Sequence, residues 1–132
     1  VTDTLTGAPL DVGRTRYTPP AHLTTLIRLR DKTCIRPGCS IPAHRCERDH
    51  LHDWAKGGHT SLDNIASECT RDHAIKTAGA ATPSPLNPDG TRTWTSALGH
   101  THTRPPERDP RRRGHTPVQP PLEDDPDHPP PF

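Results

Sequence analysis

Residues 46–76, CERDHLHDWAKGGHTSLDNIASECTRDHAIK, decide how this chain reads. They hold an adjacent Asp49-His50 pair, a Gly57-Gly58 turn, Asn64, and a Cys69-x3-His73 spacing followed by Lys76. On a strand, neighbouring side chains point to opposite faces, so Asp49 and His50 can take different tasks. The carboxylate suits a hard divalent cation, and the imidazole beside it suits work on water.

Outward from that run, a strand is expected around residues 45–51, then a loop through Gly57-Gly58, then a helix from about Leu62 or Ser67 to Thr77. The pattern is a β-hairpin followed by a helix, within an α+β fold. On the N-terminal side, Cys34-Ile35-Arg36-Pro37-Gly38-Cys39 forms a tight loop. Before it, AHLTTLIRLRDKT puts Leu23, Leu26, Ile27 and Arg30 on one helical face, with Pro20 suited to the first turn. Gly7-Ala8-Pro9 and Gly13 break residues 1–19 into an extended arm or short strands.

On the C-terminal side, Pro83, Pro85 and Pro88 loosen the chain. Thr91, Thr93 and Thr95 then alternate with Arg92, Trp94 and Ser96, and Asp89-Gly90 and Leu98-Gly99 mark the turns of a two-stranded ribbon. The expected organisation is an arm over 1–19 and a compact domain over 20–80 with its motif core at 34–76. A Pro-rich loop and hairpin over 81–104 and a disordered tail over 105–132 follow.

With 27% hydrophobic and 3% aromatic residues in 132, the chain has little material for a core, so something other than apolar burial must help hold it. Eighteen prolines and nine glycines point the same way, to a small ordered centre with irregular flanks. No apolar run suits a transmembrane helix or a signal peptide, so a cytoplasmic chain without a membrane partner is the default. The net charge of +1 is unevenly spread. Arg28, Arg30, Lys32, Arg36, Arg45 and Arg48 crowd the approach to the site, whereas Glu123, Asp124, Asp125 and Asp127 lie in the tail.

Four cysteines, Cys34, Cys39, Cys46 and Cys69, without a secretory signal favour reduced thiols and metal ligation. Structural Zn²⁺ is the economical answer for so small a core. Cys34 and Cys39 sit on the knuckle, and Cys69 brings a third thiolate. Two residues compete for the fourth place. Asp72 lies one turn after Cys69 on the same helical face, and Cys46 is the better donor chemically but stands on the strand that leads into the site. The helical spacing favours Asp72.

Hydrolysing a phosphodiester requires an activated water, charge relief on the phosphoryl oxygens, and stabilisation of the departing oxygen. His50 suits the first task as a general base. A Mg²⁺ or Mn²⁺ ion suits the others, and Asp49, Asn64 and His73 are placed to hold it. Cys69-x3-His73 also suits tetrahedral zinc, in which case Asp49 and Asn64 hold the catalytic ion. His52, two residues beyond His50, falls on the same strand face.

With Asp49-His50, Asn64 and His73 in this order, framed by paired cysteines and followed by Lys76, the chain resembles the HNH endonuclease family. The pattern C-x4-C, C-[DE]-x-D-H, W-x2-G-G-x-T, D-N-[IL], C-x3-H-x2-K covers residues 34–76. The resemblance implies a ββα-metal (His-Me finger) domain with a zinc knuckle, acting on DNA as a metal-dependent endonuclease. It implies Asp49 as metal ligand, His50 as general base, Asn64 as metal ligand or loop brace, and His73 as the closing histidine. The flanks LTGAPLDVGRTRYTPP and WTSALGHTHTRPP look like the C-terminal part of actinobacterial proteins in which a 13E12-repeat domain of unknown function precedes an HNH nuclease. Relatives usually carry Cys or His where this chain has Asp72. The rival reading is a zinc-stabilised nucleic-acid-binding module without catalytic activity. Asp72 speaks for it, and the intact Asp49-His50 pair speaks against it.

Overall fold

The computed structural model of the protein describes residues 2–5 and 7–106, so the tail expected from residue 105 lies almost wholly outside the described residues. The regular elements are α1 (Ala21–Asp31), β1 (Glu47–His50), β2 (Ile65–Glu68), α2 (Thr70–Thr77), β3 (Ala81–Pro83), β4 (Arg92–Ser96) and β5 (Thr101–Arg104). Single 3-10 turns stand at Ala43–Arg45 and Trp54–Lys56.

Pro20 opens α1 at its N-cap, and Leu23 and Ile27, four residues apart, bury fully against Ile65. The helix ends where Lys32 turns left-handed at φ +56° and returns its N–H to Arg28 O at 2.9 Å, which swings the chain into the Cys34 loop. Asp31 is buried, and its Oδ2 accepts the Ser67 N–H at 2.8 Å. Arg30 bonds both Asp31 and Ile65 O, at 2.7 and 2.8 Å. Arg30, expected among the residues leading to the site, is therefore an internal tie between α1 and β2. Arg36 is drawn inward in the same way, to Asp72 at 2.7 Å.

β1 and β2 pair antiparallel in the register Glu47↔Glu68, Arg48↔Ser67, Asp49↔Ala66, His50↔Ile65, and α2 follows directly. This is the expected hairpin and helix, with one correction. The helix begins at Thr70 rather than Leu62 or Ser67, because residues 65–68 form the second strand. All four are buried, since α1 covers one face and Trp94 packs on the other at Ala66. Burial on both faces erases the alternation that identifies a strand. In the connecting loop Gly57 takes φ +100°, and a Cβ on Gly58 would meet His52 O at 1.9 Å. The Gly-Gly pair is thus required both by the turn and by the close backbone approach.

The C-terminal ribbon has a third strand, in the order β3-β4-β5. The sequence hid it because β3 ends in a proline, which an edge strand tolerates. Trp94 carries this sheet into the core. It packs on Ile35 and Ala66 and donates from Nε1 to Ile35 O at 3.2 Å. Arg104 bonds Cys34 O, Asp31 O (3.2 Å) and Thr33 Oγ1 (2.7 Å), so the sheet braces the cysteine loop. The N-terminal arm runs beside residues 60–62, with Val12 N–H on Thr60 O at 3.0 Å and Leu62 N–H on Leu10 O at 2.8 Å. Among the described residues, no helix is long and apolar enough to cross a membrane.

Candidate functional site

Two clusters of chemistry-bearing side chains flank α2. In the first, one ligand atom from each of Cys34, Cys39, Cys69 and Asp72 lies within 4.8 Å of every other. Asp72 Oδ2 is 3.2 Å from both the Cys34 and the Cys69 sulfur. Its Oδ1 is held by Arg36 at 2.7 Å and Arg71 at 3.2 Å. Burial works against the Asp72 carboxylate, but Arg36, Arg71 and the two thiols hold it well below the usual carboxylate range. Burial pushes the Cys34 and Cys69 thiols up, so a cation is needed to favour their thiolates. Cys46 packs against the same cluster but stands outside the four-atom set, its Sγ 3.4 Å from Pro42 O. Its thiol is pushed up to about 11, chiefly by burial.

In the second cluster, the strand geometry separates Asp49 from His50 as expected. Asp49 Oδ1 lies 3.5 Å from His73 Nε2, and its Oδ2 and the His50 carbonyl take the ammonium of Lys76. His73 Nδ1 meets Glu47 Oε2 at 2.9 Å. With Nδ1 engaged by Glu47, Nε2 is the ring nitrogen turned toward Asp49, and a carboxylate behind the far ring nitrogen is the arrangement that orients a histidine for a metal. His73 thus turns to Asp49 and not to the thiols. Asp49 and His73 line two adjoining cavities. One, of about 370 Å³, also holds His52 and Lys76, and the other, of about 300 Å³, holds His50, Tyr17 and Trp54.

His50 is 3% exposed and its Nε2 lies 3.0 Å from Thr60 Oγ1. That hydroxyl is 2.6 Å from Arg16 O and 3.1 Å from Tyr17 O, and carbonyls only accept. The hydroxyl proton goes to a carbonyl, so His50 donates from Nε2 and keeps its lone pair on Nδ1. Burial lowers the pKa of His50, against the opposing pull of Asp49. The Tyr17 ring stacks on the imidazole at 5.1 Å, and Trp54 meets it edge-on at 5.5 Å.

Asn64 is not brought to this cavity. Its Oδ1 accepts the His52 N–H at 2.8 Å, and its Nδ2 donates to His52 O (3.1 Å) and His59 O (2.8 Å). These are the contacts of a loop brace. His52 lies beyond the end of β1 and lines the Asp49 cavity rather than sharing a face with His50.

Sequence reasoning passed over Glu47, Thr60, Tyr17 and Glu68. Thr60 was in view as the last residue of W-x2-G-G-x-T, and only its position under His50 reveals a task. Glu68 is fully buried with neither carboxylate oxygen hydrogen-bonded, and burial pushes its pKa up to about 7.

Residues 34–79 match the family model described as HNH endonuclease. Over 90 residues the chain is 40% identical to the uncharacterized protein Rv2100 of Mycobacterium tuberculosis, a match covering 68% of this chain and 16% of that protein. It is 37% identical over 91 residues to the uncharacterized protein Rv3776 of the same organism, covering 69% and 17%. To the uncharacterized protein Mb1179c of Mycobacterium bovis it is 27% identical over 71 residues, covering 54% and 16%. The chain therefore spans about a sixth of the length of these curated relatives. No solved structure gives a significant match.

Proposed function

We propose that residues 34–79 form an HNH endonuclease domain that hydrolyses DNA phosphodiester bonds, with one divalent cation at Asp49 and His73 and with His50 as general base. The observation that carries the reading is the convergence of Asp49, His50 and His73 on one cavity, apart from the thiol-rich cluster. A carboxylate oxygen and an imidazole nitrogen 3.5 Å apart fit Mg²⁺ or Mn²⁺, which keep several waters and need few protein donors. When bound, the cation supplies Lewis-acid relief of charge on the phosphate and the departing 3′ oxygen.

The chain's own residues supply the rest. His50 Nδ1 takes the proton of the attacking water as the new P–O bond forms and the bond to the 3′ oxygen breaks. Its lowered pKa keeps it neutral, and thus able to accept that proton, at physiological pH. Thr60 holds Nε2 and fixes the tautomer, and Tyr17 and Trp54 fix the plane of the ring. Glu47 orients His73, and Lys76 pairs with Asp49. Asn64 acts by bracing the loop after β1. In the thiol cluster, Cys34, Cys39, Cys69 and Asp72 fit structural Zn²⁺, which would there cross-link the knuckle to the start of α2. Such a cross-link would fix the helix that carries His73.

The test is incubation of purified protein with supercoiled plasmid and added Mg²⁺ or Mn²⁺. Metal-dependent appearance of open-circular or linear product is expected. DNA binding without any cleavage would favour the zinc-stabilised binding module instead.

A further inference from the structure

Tyr17 is 61% exposed yet rigidly held. One ring face lies on His50 at 5.1 Å with the planes only 20° apart, and Trp54 abuts it at 5.7 Å in a T-shaped contact. Trp54 is itself pinned, because Arg14 stacks over it at 4.4 Å and bonds Trp54 O and Gly58 O at 2.7 and 3.1 Å. An arm of the chain has thus been fastened so that one aromatic ring stands at the mouth of the cavity that also holds Asp49 and His73. Shielding His50 would need only the covered face. With 61% of Tyr17 exposed, the ring surface turned away from His50 is open to solvent, and Arg14 and Arg16 are exposed residues of the same arm.

We propose that Tyr17 is a stacking platform for an unpaired nucleobase of the DNA strand being cut, one nucleotide from the phosphate held at Asp49 and His73. The assignment rests on the nuclease reading for which phosphate lies in the cavity. A base inside a duplex is already stacked on its neighbours and cannot lie on a protein ring, so the platform serves frayed, bulged, mismatched or single-stranded DNA. Every base has a π-face, so the preference is for strand state and not for sequence. Because His50 and Trp54 already order the ring, stacking on it costs little side-chain entropy.

A binding experiment separates this claim from catalysis. A short single-stranded DNA carrying 2-aminopurine is titrated with protein in zinc-replete buffer without added Mg²⁺ or Mn²⁺, and its fluorescence is followed. Quenching is expected with the parent and with Tyr17→Phe. Tyr17→Ala, exposed enough to leave the fold intact by circular dichroism, should lose the quenching and bind about tenfold more weakly, as expected for one lost stacked base. Equal quenching and affinity in the parent and Tyr17→Ala would overturn the platform, whether or not the protein cuts DNA. In Mn²⁺, a bulged duplex should be cut faster than its fully paired counterpart; Tyr17→Ala, which also releases the His50 ring, should slow both and bring the ratio of their rates to one. No cleavage of either, with the quenching intact, would count against the nuclease reading alone.

Discussion

Glu68→Gln should stabilise the protein more as the pH rises, and the structure sets the size of the effect. Glu68 is fully buried on β2 and neither of its oxygens has a partner. Burial lifts it from 4.5 to about 7, with Lys76 and Arg92 offsetting part of the penalty from a distance. The unfolded chain therefore releases this proton near pH 4.5, while the folded protein keeps it to about 7, so stability falls as pH rises through that window. At 1.36 kcal/mol per pH unit the ionised form is disfavoured by about 3 kcal/mol above pH 7. Most of that, about 2–3 kcal/mol, is gained between pH 5 and pH 8. Glutamine keeps the shape and cannot ionise. Its own unbonded amide costs the same at both pH values, and zinc affinity changes equally in both proteins. Urea unfolding of the parent and Glu68→Gln at about pH 5 and about pH 8, with zinc in excess, isolates the carboxylate. The variant's advantage should grow by about 2–3 kcal/mol across that range. An advantage that does not change with pH would refute the reasoning, because it would mean that Glu68 is paired or hydrated in the folded protein.

Asp72→His should tighten zinc under chelator challenge and Asp72→Ala should weaken it, while Cys46→Ser is mild; severe zinc loss in Cys46→Ser alone would reverse the assignment. Trp94→Ala should cost about 3–5 kcal/mol in urea unfolding, and a cost below about 1 kcal/mol would mean that the C-terminal sheet is not part of the folding unit. Thr60→Val should slow cleavage by releasing the His50 tautomer, and Thr60→Ser should recover it; equal rates in both variants would remove Thr60 from the machinery.

The placement of this chain's candidate site residues was more legible than its packing. Leu23 and Ile27 announced α1 through their four-residue spacing, and Asp49-His50 announced opposite strand faces by adjacency alone. Residues 65–68 did not announce β2, because a strand covered on both faces has no alternation to read. The ribbon's turns were visible in Asp89-Gly90 and Leu98-Gly99, yet nothing local told that Trp94 would seal Ile35 and Ala66, 59 positions from its hydrogen-bond partner. The same holds for the site. Asp72 could be placed beside Cys69 by helical spacing, whereas Tyr17, Thr60 and Glu47 reach His50 and His73 only through tertiary contacts that no short window contains. Arg30 and Arg36 looked like surface charge and became internal ties, since a charge run does not reveal which members find buried acceptors.

The most direct measurement of the central claim is plasmid cleavage by the parent, Asp49→Ala and His50→Ala across a range of Mn²⁺ concentrations. If Asp49 holds the cation and His50 takes the water's proton, Asp49→Ala should need more Mn²⁺ to reach its maximal rate. His50→Ala should lose about two to four orders of magnitude in rate at every Mn²⁺ concentration. Cleavage by His50→Ala at the parent's rate under matched metal would contradict the account.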